Sequence, residues 1–225
     1  MNTTSVESSH TAVTDRAMGI MARGIWLLPV FGLLLLWSTW EQQPDPRTEF
    51  TAWSEFVTTD TFFIQHVVGS IGGQALHALG AAALGGVHLL SSRRTRQAVL
   101  GTVLSLVGDA GLLAGFGVAA FAQPPVGRLQ LSEYAGAHDV YDQMYSPSAI
   151  SVLAGGLLLS IGSVLLARAA ATIAAVPRWA TLTYGASGPL VGLGLFVGAG
   201  LQPLGAILGV IGGVGLALRL RRERS

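Results

Sequence analysis

Apolar residues in this chain neither alternate nor return every third or fourth position over short windows; they run almost unbroken for the length of a membrane crossing. Six such runs stand out, at residues 24–40, 62–90, 98–122, 148–167 or somewhat beyond, 182–201 and 204–218. A helix rises about 1.5 Å per residue, so roughly 20 apolar residues cross the hydrocarbon layer of a bilayer. The pattern predicts an all-α fold, a polytopic integral membrane protein of six transmembrane helices, with the last span the shortest. The first run has the look of a secretory leader core, but Trp37-Ser38-Thr39-Trp40 follows it where a small-x-small cleavage site would stand, so it is expected to be retained as a helix. Too little polar chain separates the runs to build a second folded unit. The expected organisation is a Ser/Thr-rich, disordered cytoplasmic tail over residues 1–15, without apolar periodicity, and one transmembrane domain over 16–225.

Composition agrees. With 51% of residues apolar and 11% charged, a water-soluble globular domain is excluded. The chain has no cysteine, which removes disulfides, thiolate zinc sites and iron–sulfur clusters. All thirteen basic residues are arginine, so no lysine is present to form a Schiff base. No basic domain exists to hold nucleic acid.

Arginine placement sets the expected orientation, because short cytoplasmic segments retain positive charge and exported ones do not. A six-span layout leaves only Arg47 and Arg128 outside, while Arg93, Arg94 and Arg96, together with the cluster ending at Arg224, fall inside. Both termini are then cytoplasmic, in a plasma membrane of bacterial type. The segment holding Glu41, Asp45, Glu49, Glu55 and Asp60 lies outside.

Glycine is abundant inside the runs, which suits helices that pack closely in lipid. Gly69 and Gly73 form one such small-xxx-small face. Glycine spacing also suggests duplicated helical hairpins. Gly111, Gly115 and Gly117, followed by Gln123-Pro124, match Gly188, Gly192 and Gly194, followed by Gln202-Pro203; the preceding runs carry Gly72-Gly73 and Gly155-Gly156. Repeats of this kind are frequent in transporter folds.

Asp109 is the one acidic residue near the middle of a run, where a carboxylate costs about 2.5–3.5 kcal/mol to insert and usually faces a partner or water. His77 sits at the centre of the neighbouring run. A short turn between the two runs would bring both to one depth, predicting a buried His77–Asp109 hydrogen bond in which each group offsets the other's burial. On a regular helix His66, Ser70, Gln74 and His77 share a narrow arc, and Thr102, Ser105 and Asp109 form a second stripe on the opposite half of their span. The two stripes meet at the pair. The function this predicts is proton-linked transport or conductance, with Asp109 as central proton acceptor, His77 as its partner, and the remaining five residues lining access from the two sides. The bland alternative is a pair that fixes helix register, with hydroxyls bonded to their own backbone, in a non-transporting scaffold or subunit of a larger complex.

Other chemistry is weaker. His66, His77 and His88 recur every eleven residues on nearly one face, but each step rises about 16.5 Å, so no two can share a metal ion. Haem would need histidines from elsewhere, and no cofactor is expected. In the outer segment, His138 and Asp142 would share a helix face and could hold a cation, yet the nearby tyrosines make an interfacial loop the simpler reading. Among enzyme motifs no nucleophile elbow, zinc-protease helix or phosphate loop occurs, so no enzyme is expected. The expected partners are the lipid bilayer and either further copies of the chain or a membrane complex.

Overall fold

The computed structural model describes residues 3–91, 95–198 and 200–222. Arg93, Arg94 and Arg224, used above for orientation, lie outside the described residues. Every element among those described is helical. Helix α1 spans Thr3–Gly24 and takes in most of the stretch expected to be an unstructured tail; α2 spans Leu27–Thr39, α3 Phe50–Val57 and α4 Asp60–Ile64. A π-helical segment, Gln65–Gly72, joins α4 to α5, Gly73–Leu90. Then come α6 (Thr95–Phe121), α7 (Gln123–Leu131), α8 (Ala137–Ala170), α9 (Arg178–Val197) and α10 (Leu201–Arg222).

Five stretches are long and apolar enough to cross a membrane: Val13–Thr39, Asp60–Leu90, Arg96–Leu131, Ala137–Ala170 and Leu201–Leu220. The chain is thus helical throughout its described elements, with the apolar helices of a multi-pass membrane protein. A helix, α9, also stands where another span was expected. It is not one of the five, and its first half carries Thr181, Thr183, Tyr184 and Ser187.

Several boundaries differ from the sequence pattern for identifiable reasons. A turn at Ile25 and Trp26, at the start of the first run, separates α1, which precedes the run, from α2, which carries it. Pro29 falls in the first turn of α2, where its missing N–H costs nothing. Helix α8 starts eleven residues before the apolar run does and passes through Pro147 without ending. Helix α10 is longer than its short apolar run because Leu201 and Gln202 join it at one end and Arg219 at the other. Pro124 and Pro125 open α7, a position proline tolerates, and so turn an expected loop into a helix.

Helices α2, α5, α6, α8, α9 and α10 each pack on the next, and α10 returns to α2, closing a ring. Glycines set the spacing. A Cβ at Gly155 would sit 2.8 Å from the Gly108 carbonyl oxygen and 2.9 Å from Gly111 Cα, so α6 and α8 touch through their backbones. Gly156 and Gly192 make the equivalent contact between α8 and α9. Gly69 and Gly73 both face α2: a Cβ on Gly69 would lie 2.6 Å from Ser38 Cβ, and one on Gly73 3.3 Å from Leu34 Cβ.

Three apolar clusters fill the structure. One, at the cap end, joins α3, α4, α7 and the start of α8 through Trp53, Val57, Phe62, Val126 and Tyr141. A second fills the cap half of the ring with Phe31, Leu35, Leu112, Phe116, Leu159, Val191 and Ala206. The third fills the opposite half, with Ile25, Leu28, Leu84, Leu166 and Leu216 among its members. Between the second and third lies the polar site.

Candidate functional site

Two arms of a hairpin, α5 and α6, carry the charged groups inward. His77 and Asp109 are 3% and 1% exposed, and the Nδ1 of His77 lies 2.9 Å from Oδ1 and 3.0 Å from Oδ2 of Asp109. Facing a carboxylate, Nδ1 carries the proton and donates it to both oxygens. Three residues earlier on the same face, Gln74 Nε2 donates to Asp109 Oδ1 at 2.5 Å. The carboxylate therefore accepts from two side chains of one neighbouring helix, which is how a buried charge is made tolerable. Around this trio the walls are aromatic. Phe31 of α2 packs against the imidazole with centroids 4.7 Å apart, and Tyr184 of α9 lies nearly parallel to it, 25° inclined at 6.4 Å.

Not every polar atom here is satisfied within the protein. Gln74 Oε1, Ser105 Oγ and the Tyr184 hydroxyl are buried and have no hydrogen-bond partner among the described residues. A buried polar group left without a partner costs about 1–3 kcal/mol, and internal water is the usual means by which such groups are satisfied.

The two expected stripes do not run as continuous lines in this arrangement. Ser70 turns to α2, where its hydroxyl donates to Ser38 Oγ at 3.1 Å. His66 Nδ1 bonds back to the Phe62 carbonyl at 2.9 Å, with its ring against Phe62. Thr102 donates to the Ala98 carbonyl one turn earlier and packs on Gly85. Ser105 points to α8, where a Cβ on Gly162 would approach its Oγ to 2.5 Å. The cause of the first departure is the π-helical segment: its wider turns break the α-helical phasing on which the alignment of His66, Ser70 and Gln74 depends. Of the seven residues proposed for proton transfer, the structure joins Gln74, His77 and Asp109 directly.

Tyr184 and Phe31 were not singled out by the pattern. Phe31 is one more apolar residue in an apolar run and gives no signal. For Tyr184 the signal was slight: it stands two residues inside the edge of its run, where an interfacial tyrosine is ordinary, and only the recurrence of Thr181, Tyr184 and Ser187 every three residues, all of them buried, sets it apart.

At the cap, His138 Nδ1 and Asp142 Oδ2 are 3.5 Å apart, both well exposed, with the His138 ring 4.8 Å from Phe50. Each partners the other, and among the described residues no three histidine or acidic side chains gather to hold a metal ion. An open cavity of about 320 Å³ lies between Thr58, Asp60, Phe63, Phe121, Pro124 and Arg128. None of the buried trio lines it.

The fold and site together define a class, a multi-helix membrane protein with an ionisable pair sealed between apolar layers. No protein-family model matches the sequence, and no curated protein or solved structure matches it either.

Proposed function

We propose that this is a six-span plasma-membrane protein of bacterial type, with both termini cytoplasmic, that carries out proton-linked transport or conductance through the His77–Asp109 pair. The supporting observation is the contact itself: an imidazole and a carboxylate at hydrogen-bond distance, buried in the middle of a helix ring, with unsatisfied polar atoms beside them. Intramembrane ionisable residues are costly enough that they usually mark ion or substrate pathways. In this reading Asp109 accepts the proton, His77 exchanges it, and Gln74 holds the carboxylate in place. His66 and Ser70 would line access from the cap side, and Thr102 and Ser105 from the other, once they leave the partners they hold here, Ser38 and the Phe62 and Ala98 carbonyls among them. Because the two apolar clusters close both sides of the site, transport requires the α5–α6 hairpin to shift against its neighbours. Spans two-three and four-five are taken as duplicated hairpins, the first keeping the charged pair. The chain works as a homo-oligomer or within a membrane complex.

The sealing clusters also favour one alternative, a non-transporting scaffold in which the pair fixes helix register. Flux separates the two readings. Protein reconstituted in proteoliposomes with an imposed pH gradient should dissipate it faster than empty vesicles, and Asp109→Asn should remove that excess while the purified variant stays folded. A wild type no faster than empty vesicles supports the scaffold and ends the transport reading.

Orientation has a separate test that the absence of cysteine makes clean. In whole cells, a membrane-impermeant maleimide should label Gln43→Cys in the segment before α3 and leave Ala174→Cys, between α8 and α9, unlabelled until the cells are opened. The reverse pattern would invert the topology.

A further inference from the structure

Among the described residues, Tyr184 is the one buried titratable group beside the pair that the proposed proton transfer does not use. Its side chain is 1% exposed, its ring lies nearly parallel to His77, and its hydroxyl has no protein partner among the described residues. It comes from α9, on the far side of the ring from the α5–α6 hairpin. The hydroxyl is within electrostatic reach of the Asp109 carboxylate. Two further buried atoms wait unpaired on the other elements: Gln74 Oε1, which can only accept, and Ser105 Oγ, which can donate and accept. A phenol donates and accepts too, and buried waters typically make about three hydrogen bonds, so water is the chemistry that would pair such atoms.

We propose that Tyr184 is a third working member of the buried site, its hydroxyl coupled to the Asp109 carboxylate through internal water. The pair then belongs to the whole ring and not to one hairpin. A change of charge at Asp109 reaches α9 through this water, and α9 carries α10 with it because their backbones touch at Gly212 and Tyr184. Tyr184 acts through Asp109 and is a positioning residue.

The inference deepens the transport reading, but part of its test does not depend on flux. The full-length protein is labelled with 3-fluorotyrosine in lipid nanodiscs, and the signal of Tyr184, one of four tyrosines, is assigned by its loss in Tyr184→Phe. In wild-type protein the Tyr184 resonance should show a deuterium isotope shift on transfer to heavy water, because a water-linked phenol exchanges its proton. Asp109→Asn and Ser105→Ala should each move the same resonance and leave the other three in place. Absence of the isotope shift, or a Tyr184 resonance unmoved in both folded variants, overturns the proposal. In proteoliposomes, Tyr184→Phe should reduce proton-linked flux roughly tenfold, the rate equivalent of one hydrogen bond. If wild-type protein shows no flux while the resonance behaves as described, transport fails and the coupling stands.

Discussion

Replacing His77 with phenylalanine is expected to destabilise the protein by about 3–5 kcal/mol, the usual effect of removing one partner from a buried ion pair. The side chain is accommodated in shape, since its place between Phe31 and Tyr184 is already aromatic. What is lost is the imidazole N–H, leaving the Gln74 amide as the one remaining side-chain donor to an Asp109 carboxylate that is sealed from bulk solvent. The double variant His77→Phe, Asp109→Leu should recover most of the loss, because well-packed apolar replacements of a buried pair are often neutral or better. Reversible unfolding in mixed detergent micelles measures both. A single variant as stable as wild type, or a double variant no better than the single, would show that the two residues do not depend on each other.

The second large effect is steric. Gly156→Ala places a methyl group against the backbone of Gly192, and Gly108→Ala places one 2.7 Å from the Gly155 carbonyl oxygen. Backbone cannot swing aside as a side chain can, so α8 must separate from α9 or α6. Each variant should lose about 1–3 kcal/mol or more through overpacking. Gly117→Ala supplies the control, since a Cβ there meets nothing within 4 Å. Alanine is the better helix former by about 1 kcal/mol, so this change should be neutral or stabilising. Equal losses at all three positions would refute the claim that backbone contact holds the ring together.

These two regions show how far the sequence could be read. The His77–Asp109 contact was legible because two centred ionisable residues in adjacent apolar runs, joined by a short turn, have few other places to meet. Gln74 was legible as sharing the face of His77, three residues away, but as a lining of the access path and not as a donor to Asp109. Gly69 and Gly73 were legible as a close-packing face, though not which helix would meet it. The stripes were less legible, because hydroxyls have a choice that spacing does not reveal. Thr102 can bond a carbonyl of its own helix and does; Ser70 finds Ser38, 32 residues away in sequence, on another helix. Tyr184 required knowledge of which helices close the ring, and packing between distant spans is decided by side-chain shape, which periodicity does not encode. The cap was hidden for another reason. Helices α3 and α7 are too short to leave a clear period; α3 holds its place through aromatic contacts such as the Trp53–Tyr141 pair at 5.1 Å, and α7 through Val126 in the same cluster.

A wide-turn stretch such as Gln65–Gly72 absorbs what amounts to surplus chain within an otherwise tightly wound rod. Such a surplus can travel along the rod without a break in the chain. Each residue by which the winding tightens turns one end relative to the other by about 100°. With Gln74 and His77 held by Asp109, such a change would be taken up at the other end, turning His66 to a new bearing and parting Ser70 from Ser38 while the carboxylate kept its partners.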